Sequence, residues 1–117
     1  MDSESQAALA PGDVVIVMVT VPNQDVAATL AKTLVEKKLV ACVNILPGVR
    51  SIYAWQGKMC DDNELLCLLK TRRALFPAVR DLVTALHPYE VPEIIALPLV
   101  EGNAPYLGWL RKETRDL

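Results

Sequence analysis

Apolar residues recur along the chain in two alternating rhythms, one of period two and one of period near 3.6. VVIVMVTV, residues 14–21, is continuously apolar and β-branched, the pattern of a strand covered on both faces. Pro22-Asn23 ends it, and Asn23 is placed to cap a helix with Asp25 in its positive first turn. Val26, Leu30, Leu34 and Ala27, Ala31, Val35 then recur at helical spacing, which predicts an amphipathic helix over 24–37 lying on a sheet. VACVNIL (40–46) predicts a second strand, broken or bent by Pro47-Gly48. Residues 51–55 are strand-like again, with Tyr53 and Trp55 on one face and Gln56-Gly57-Lys58 as a hairpin tip. The returning strand begins at that tip or only after the polar Asp61-Asp62-Asn63. Its apolar part, Glu64 to Lys70, puts Glu64, Leu66, Leu68 and Lys70 on one side and Leu65, Cys67 and Leu69 on the other. A second amphipathic helix over 74–86 turns Val79, Leu82, Val83 and Leu86 inward, with Pro77 in the first turn, where no backbone donor is needed. His87-Pro88 stops it, because the residue before a proline is pushed out of the helical region. Ile94 to Leu99 is a fourth strand, and Asn103-Ala104-Pro105 opens a last helix that runs to about Arg115.

The order is β-α-β-β-α-β plus a terminal helix. It predicts an α+β fold, a ferredoxin-like split βαβ sandwich with both crossover helices on one face of a four-stranded antiparallel sheet. Residues 13–117 form this one domain, and residues 1–12 read as a disordered lead-in. The second sheet face still carries Tyr53, Trp55, Leu66 and Leu68, so another copy of the chain is the expected cover. Composition sharpens that expectation: 52% of 117 residues are apolar and mean hydropathy is +0.27, more than so small a monomer readily hides.

Charge and length exclude several classes. A net charge of −2, with basic residues scattered as the short pairs Lys37-Lys38, Arg72-Arg73 and Arg111-Lys112, is not the footprint of a nucleic-acid binder. The longest apolar run is far short of the ~20 residues that span a bilayer, so no membrane insertion is expected. The acidic, polar start lacks the basic opening of a secretory signal. Three cysteines without paired spacing read as free thiols in a reducing compartment, with the cytoplasm the expected address.

Familiar catalytic signatures are missing: there is no Gly-rich phosphate loop, no nucleophile elbow and no histidine pair. With no nucleophile–base constellation, no enzymatic activity is expected. The single histidine, His87, opens HPYEVPE. It is either a helix end favoured by the dipole when charged or a neutral imidazole ligand for copper(II) or another divalent cation. With the Cys42 thiol it makes too few ligands for a closed tetrahedral site, and Cys42 within a strand is by default a small buried hydrophobe. Cys67, alternating with leucines, is core, and Cys60 beside Asp61-Asp62 is the most exposed thiol. Glu64, Lys70 and Glu93 are solvated charges at the sheet end, or else they line a polar-aromatic pocket with Tyr53, Trp55 and Tyr89. Tyr106 and Trp109 read as docking anchors. Tyr89 and Glu90, between the two prolines, should cross the end of the sheet and line an intersubunit cleft, with His87 partly exposed and Tyr89 packed.

VEKKLVACVNILPGVRSIYAWQGK, ELLCLLKT and LHPYEVPEIIALPLVEGNAPYLGWL closely resemble the CutA divalent-cation-tolerance proteins, over about Val14 to Thr114. The details look more like the animal branch of that family than the bacterial one. The resemblance implies a ferredoxin-like subunit in a tight homotrimer and a role in metal tolerance. It also implies copper binding through a strand-one cysteine and a histidine pair before Pro-Tyr. Here Val19 stands at the cysteine position and Leu86 at the first histidine, so only His87 matches that set. Two further roles are implied. One is a scaffold for a protein partner, as in the anchoring of acetylcholinesterase in animals. The other is a small-molecule sensor like the PII-type signalling trimers, with a ligand in the intersubunit cleft near Lys70, Glu93 and Trp55.

Overall fold

A computed structural model describes residues 13–116, and within them the two rhythms resolve into four strands and three helices. In chain order these are β1 (Val14–Val21), α1 (Gln24–Glu36), β2 (Cys42–Trp55), β3 (Lys58–Arg72), α2 (Phe76–Leu86), β4 (Ile94–Pro98) and α3 (Ala104–Glu113). A 3-10 turn, Arg73–Leu75, leads into α2. The sheet order is β2-β3-β1-β4 with every neighbour antiparallel, which is the split βαβ arrangement. The expected disordered lead-in, residues 1–12, lies outside the described residues.

Helix α1 starts where Asn23 Oδ1 accepts the Val26 N–H at 2.9 Å, the bond an N-cap supplies. It buries Ala27, Leu30 and Leu34, while Val35 stays half-exposed, so the apolar stripe is narrower than the spacing predicts. In α2 the buried row steps by four, Val79, Val83 and then His87. Leu86 therefore falls beside that row and is exposed, not inward as predicted. Both helices close over Val15, Val17, Val19 and Val21 of β1 and Leu65, Cys67 and Leu69 of β3. Each such fully buried aliphatic side chain contributes on the order of 1.5–3 kcal/mol. The one hydroxyl in this layer, on Thr71, donates to the Leu39 carbonyl at 2.6 Å. Helix α3 packs on the opposite face, closing Leu107 and Leu110 over Val14 at one end of the sheet.

The two strands predicted over 40–46 and 51–55 are one strand of 14 residues. Leu46 pairs with Leu66 and Val49 with Glu64, so Pro47 and Gly48 together oppose the single residue Leu65 in a β-bulge. Proline has no N–H for the ladder, and Gly48 absorbs the extra residue at φ 80°, where a side chain is strained. At the tip, Gln56 and Gly57 both have positive φ, as a two-residue hairpin turn requires. The return strand therefore begins at Lys58, and Asp61-Asp62-Asn63 lie within it. Cross-strand partners hold these polar residues in place. Arg50 reaches Asp61 with two hydrogen bonds of 2.8 and 2.6 Å, and the Tyr53 hydroxyl donates to Asp62. The hairpin extends beyond the helix-covered sheet as an arm, and the described residues measure 53 × 26 × 22 Å.

On the sheet face away from α1 and α2, the middle is bare. Ile95 and Leu97 of β4 are 50% and 52% exposed there, beside the half-buried Ile16, Met18, Leu66 and Leu68.

Candidate functional site

Where the arm meets the segment joining α2 to β4, a cleft of about 670 Å³ opens. The arm contributes Ser51, Tyr53 and Trp55, which the bulge places on the same sheet face as Glu64. The joining segment contributes Tyr89, Glu90 and Glu93. Of the pocket predicted from sequence, Tyr53, Trp55, Glu64, Tyr89, Glu90 and Glu93 come together here. Lys70 does not. It shares the face of Glu64 but lies six residues further along β3, roughly 20 Å at the rise of a strand. Thr20, Arg50, Ser51, Ile52 and Val91 also line the cleft and were not foreseen. The available signal was Pro47-Gly48, which marks the phase change in β2.

His87 organises the cleft's inner wall from behind. Its backbone N–H closes α2 onto the Val83 carbonyl at 2.8 Å, and its ring turns inward until the residue is only 7% exposed. Nε2 lies 2.8 Å from the Thr20 carbonyl oxygen. A carbonyl only accepts, so Nε2 carries the hydrogen, and Nδ1 is left to accept the Tyr89 N–H at 3.1 Å. Both ring nitrogens are thus engaged, and the ring sits 4.7 Å from that of Tyr89. This corrects the expectation of a partly exposed histidine: the proline-terminated helix end folds the ring under the chain that follows it. A metal at either nitrogen would displace one of these bonds.

Nor is Cys42 beside His87. It is half-buried on the bare sheet face, opposite Lys70 and hence in line with Ile16, four residues from Thr20 along β1. That offset is roughly 13 Å, so the predicted His87–Cys42 ligand pair does not form within one subunit. Among the described residues, no group of three His, Cys, Asp or Glu side chains is arranged to hold a metal ion. Cys60 is half-buried like Cys42, facing Tyr53 across the hairpin, while Cys67 is buried.

Hydrogen bonding and burial set the electrostatics. Glu64 is 6% exposed and accepts the Tyr89 hydroxyl at 2.9 Å through Oε2. Burial first, then this bond to a carboxylate, pushes the Tyr89 phenol up to about 12. The Tyr53 phenol is pushed up as well, chiefly by donating to Asp62. On the arm's other side, the Arg50 guanidinium holds the Asp61 carboxyl below its usual range. Burial raises the Cys67 thiol.

A family model described as "CutA1 divalent ion tolerance protein" matches residues 15–113. The chain is 58% identical over 99 residues to the divalent-cation tolerance protein CutA of Thermus thermophilus, covering 85% of this chain and 96% of that protein. It is 48% identical over 115 residues to protein CutA of Homo sapiens, covering 98% of this chain but only 64% of the human one. Among solved structures, the Thermus thermophilus cation tolerance protein superposes with a TM-score of 0.85 at 56% identity, over 87% of this chain and 99% of that one. CutA1 from Oryza sativa superposes with a TM-score of 0.86 at 47% identity, over 89% and 95%. Among the described residues, no helix is long and apolar enough to cross a membrane.

Proposed function

Because this chain belongs to the CutA1 divalent ion tolerance family, we propose that it serves divalent-cation tolerance as a cytoplasmic homotrimer. In that assembly the bare sheet face of one copy is covered by the next, and the cleft lies at the boundary between copies. The observation that supports it is the bare face itself, where Ile95 and Leu97 remain half-exposed on a sheet with no helix of its own to cover them. Apolar area of this kind, contiguous and flanked by polar residues, marks an interaction surface.

The protein acts by binding, not by catalysis, and its hold on Cu(II) is weak. Ligation by His87 requires breaking the bond to Thr20 or to Tyr89, and Cys42 is too distant to assist within a subunit. Light scattering on the intact chain tests the assembly, with a mass of three 12.9 kDa subunits expected at micromolar concentration. Calorimetry with Cu(II) on wild type and His87→Ala tests the metal reading, with equal and weak binding by both expected. A tight site that disappears in His87→Ala would overturn it, as a monomeric mass would overturn the assembly.

A further inference from the structure

The geometry points to the cleft as a binding site for a small organic cation of the alkylammonium class, an inference that rests on the cleft staying open at the subunit boundary. Three carboxylates line it, Glu64, Glu90 and Glu93, while Arg50, the one basic residue of the lining, holds its guanidinium on the arm's other side. Arg50 is already satisfied by its two bonds to Asp61. The uncompensated charge of the lining is therefore negative.

Glu64 carries the argument furthest. It is only 6% exposed, and the hydrogen bond its Oε2 receives comes from a neutral group, the Tyr89 phenol. A carboxylate this little exposed and bonded to a neutral donor gains from a cation placed beside it. The aromatic side chains narrow the class. Tyr53 and Trp55 stand two apart on one face of the arm, and Tyr89 faces the cleft from the joining segment. Ring faces attract cations, most strongly where water is excluded. Both phenols spend their hydroxyl hydrogens on carboxylates, so neither has one left to donate to an anion. A bare divalent ion would use the carboxylates but gain nothing from the rings, and the described residues offer it no three-ligand set. An alkylammonium ion uses both kinds of wall, and a volume of about 670 Å³ accommodates one readily.

The test is a titration of the assembled protein with butylammonium and tetramethylammonium chloride, and with uncharged 1-pentanol as the neutral counterpart. It is followed by calorimetry and by the indole N–H resonance of Trp55, assigned with a Trp109→Phe variant. Saturable binding of the ammonium ions, a shifted Trp55 signal and no response to pentanol are expected. Glu64→Gln should weaken binding about tenfold, or ~1.4 kcal/mol. The exposed Glu93→Gln, which leaves the core untouched, should weaken it about threefold. Pentanol binding as well as the ammonium ions would overturn the proposal. So would wild-type affinity in both variants, or an unmoved Trp55 signal in an intact trimer. Ammonium binding by a protein that light scattering shows to be monomeric would uphold the site and overturn only the assembly.

Discussion

On β3, Leu65, Cys67, Leu69 and Thr71 point at the helices and are at most 8% exposed, while Leu66, Leu68 and Lys70, one residue out of step, are only half-buried. The two faces are similar in composition and differ in what covers them. A strand apolar on both sides signals a sheet covered on both sides, and this chain supplies helices α1 and α2 for one. On the other it supplies only α3, over Val14 at one end. The apolar side chains left over belong to an interface or to a ligand, and the difference between the faces can be measured.

The largest effect should come from the covered face. Leu69→Ala leaves a cavity under α1 and α2 and should cost about 2–5 kcal/mol, read as a lower denaturation midpoint with an unchanged slope and an unchanged assembled mass. On the bare face, Leu97→Asp should do the reverse. Far-ultraviolet circular dichroism should be preserved, while light scattering shows the mass falling to a single chain. Retention of full mass by this variant would show that the bare face is not where copies meet. Smallest is the effect at the cleft between the two. Tyr89→Phe removes the donor to buried Glu64 and should cost about 1–3 kcal/mol. The Tyr89 phenol is raised in the fold from 10.0 to about 12, so its contribution is complete below pH 10.0 and is lost as pH rises toward 12. Thermal melts of wild type should therefore fall more steeply across that window than those of Tyr89→Phe.

Much of the fold was legible because local signals agreed with one another. The Asn23 cap, the helical spacing of Leu30 and Leu34, and the stop at His87-Pro88 each rest on residues within a turn or two of one another. The continuity of the arm was harder to read. Asp61 and Asp62 look like loop residues until Arg50 and Tyr53, eleven and nine positions earlier, are brought across from them. The burial of His87 was invisible for the same reason, since the carbonyl that receives its ring belongs to Thr20, 67 residues away. The Lys70 error was avoidable. Parity assigned its face correctly, but six residues of strand rise already separate it from Glu64. Cys42 and His87 could be separated only with the register of β2 on β3 in hand.

That register gives Gly48 control over a surface it does not touch. Before the bulge, even-numbered residues of β2 share the face of Leu66; after it, odd-numbered ones do. The strand is a signal of period two that slips by half a cycle at one position, and the slip is held by a residue whose φ of 80° no branched side chain adopts at ease. Deleting Gly48 would close the ladder and leave Tyr53 and Trp55 where they are. Replacing it with valine keeps the extra residue but opposes the slip. The arm would then tend toward the unslipped pairing, turning the side chains of Arg50, Ile52 and Ala54 onto the face of Glu64 and the aromatic rings off it. Which side chains the arm presents is thus written in the phase of its backbone, at a residue that has no side chain of its own.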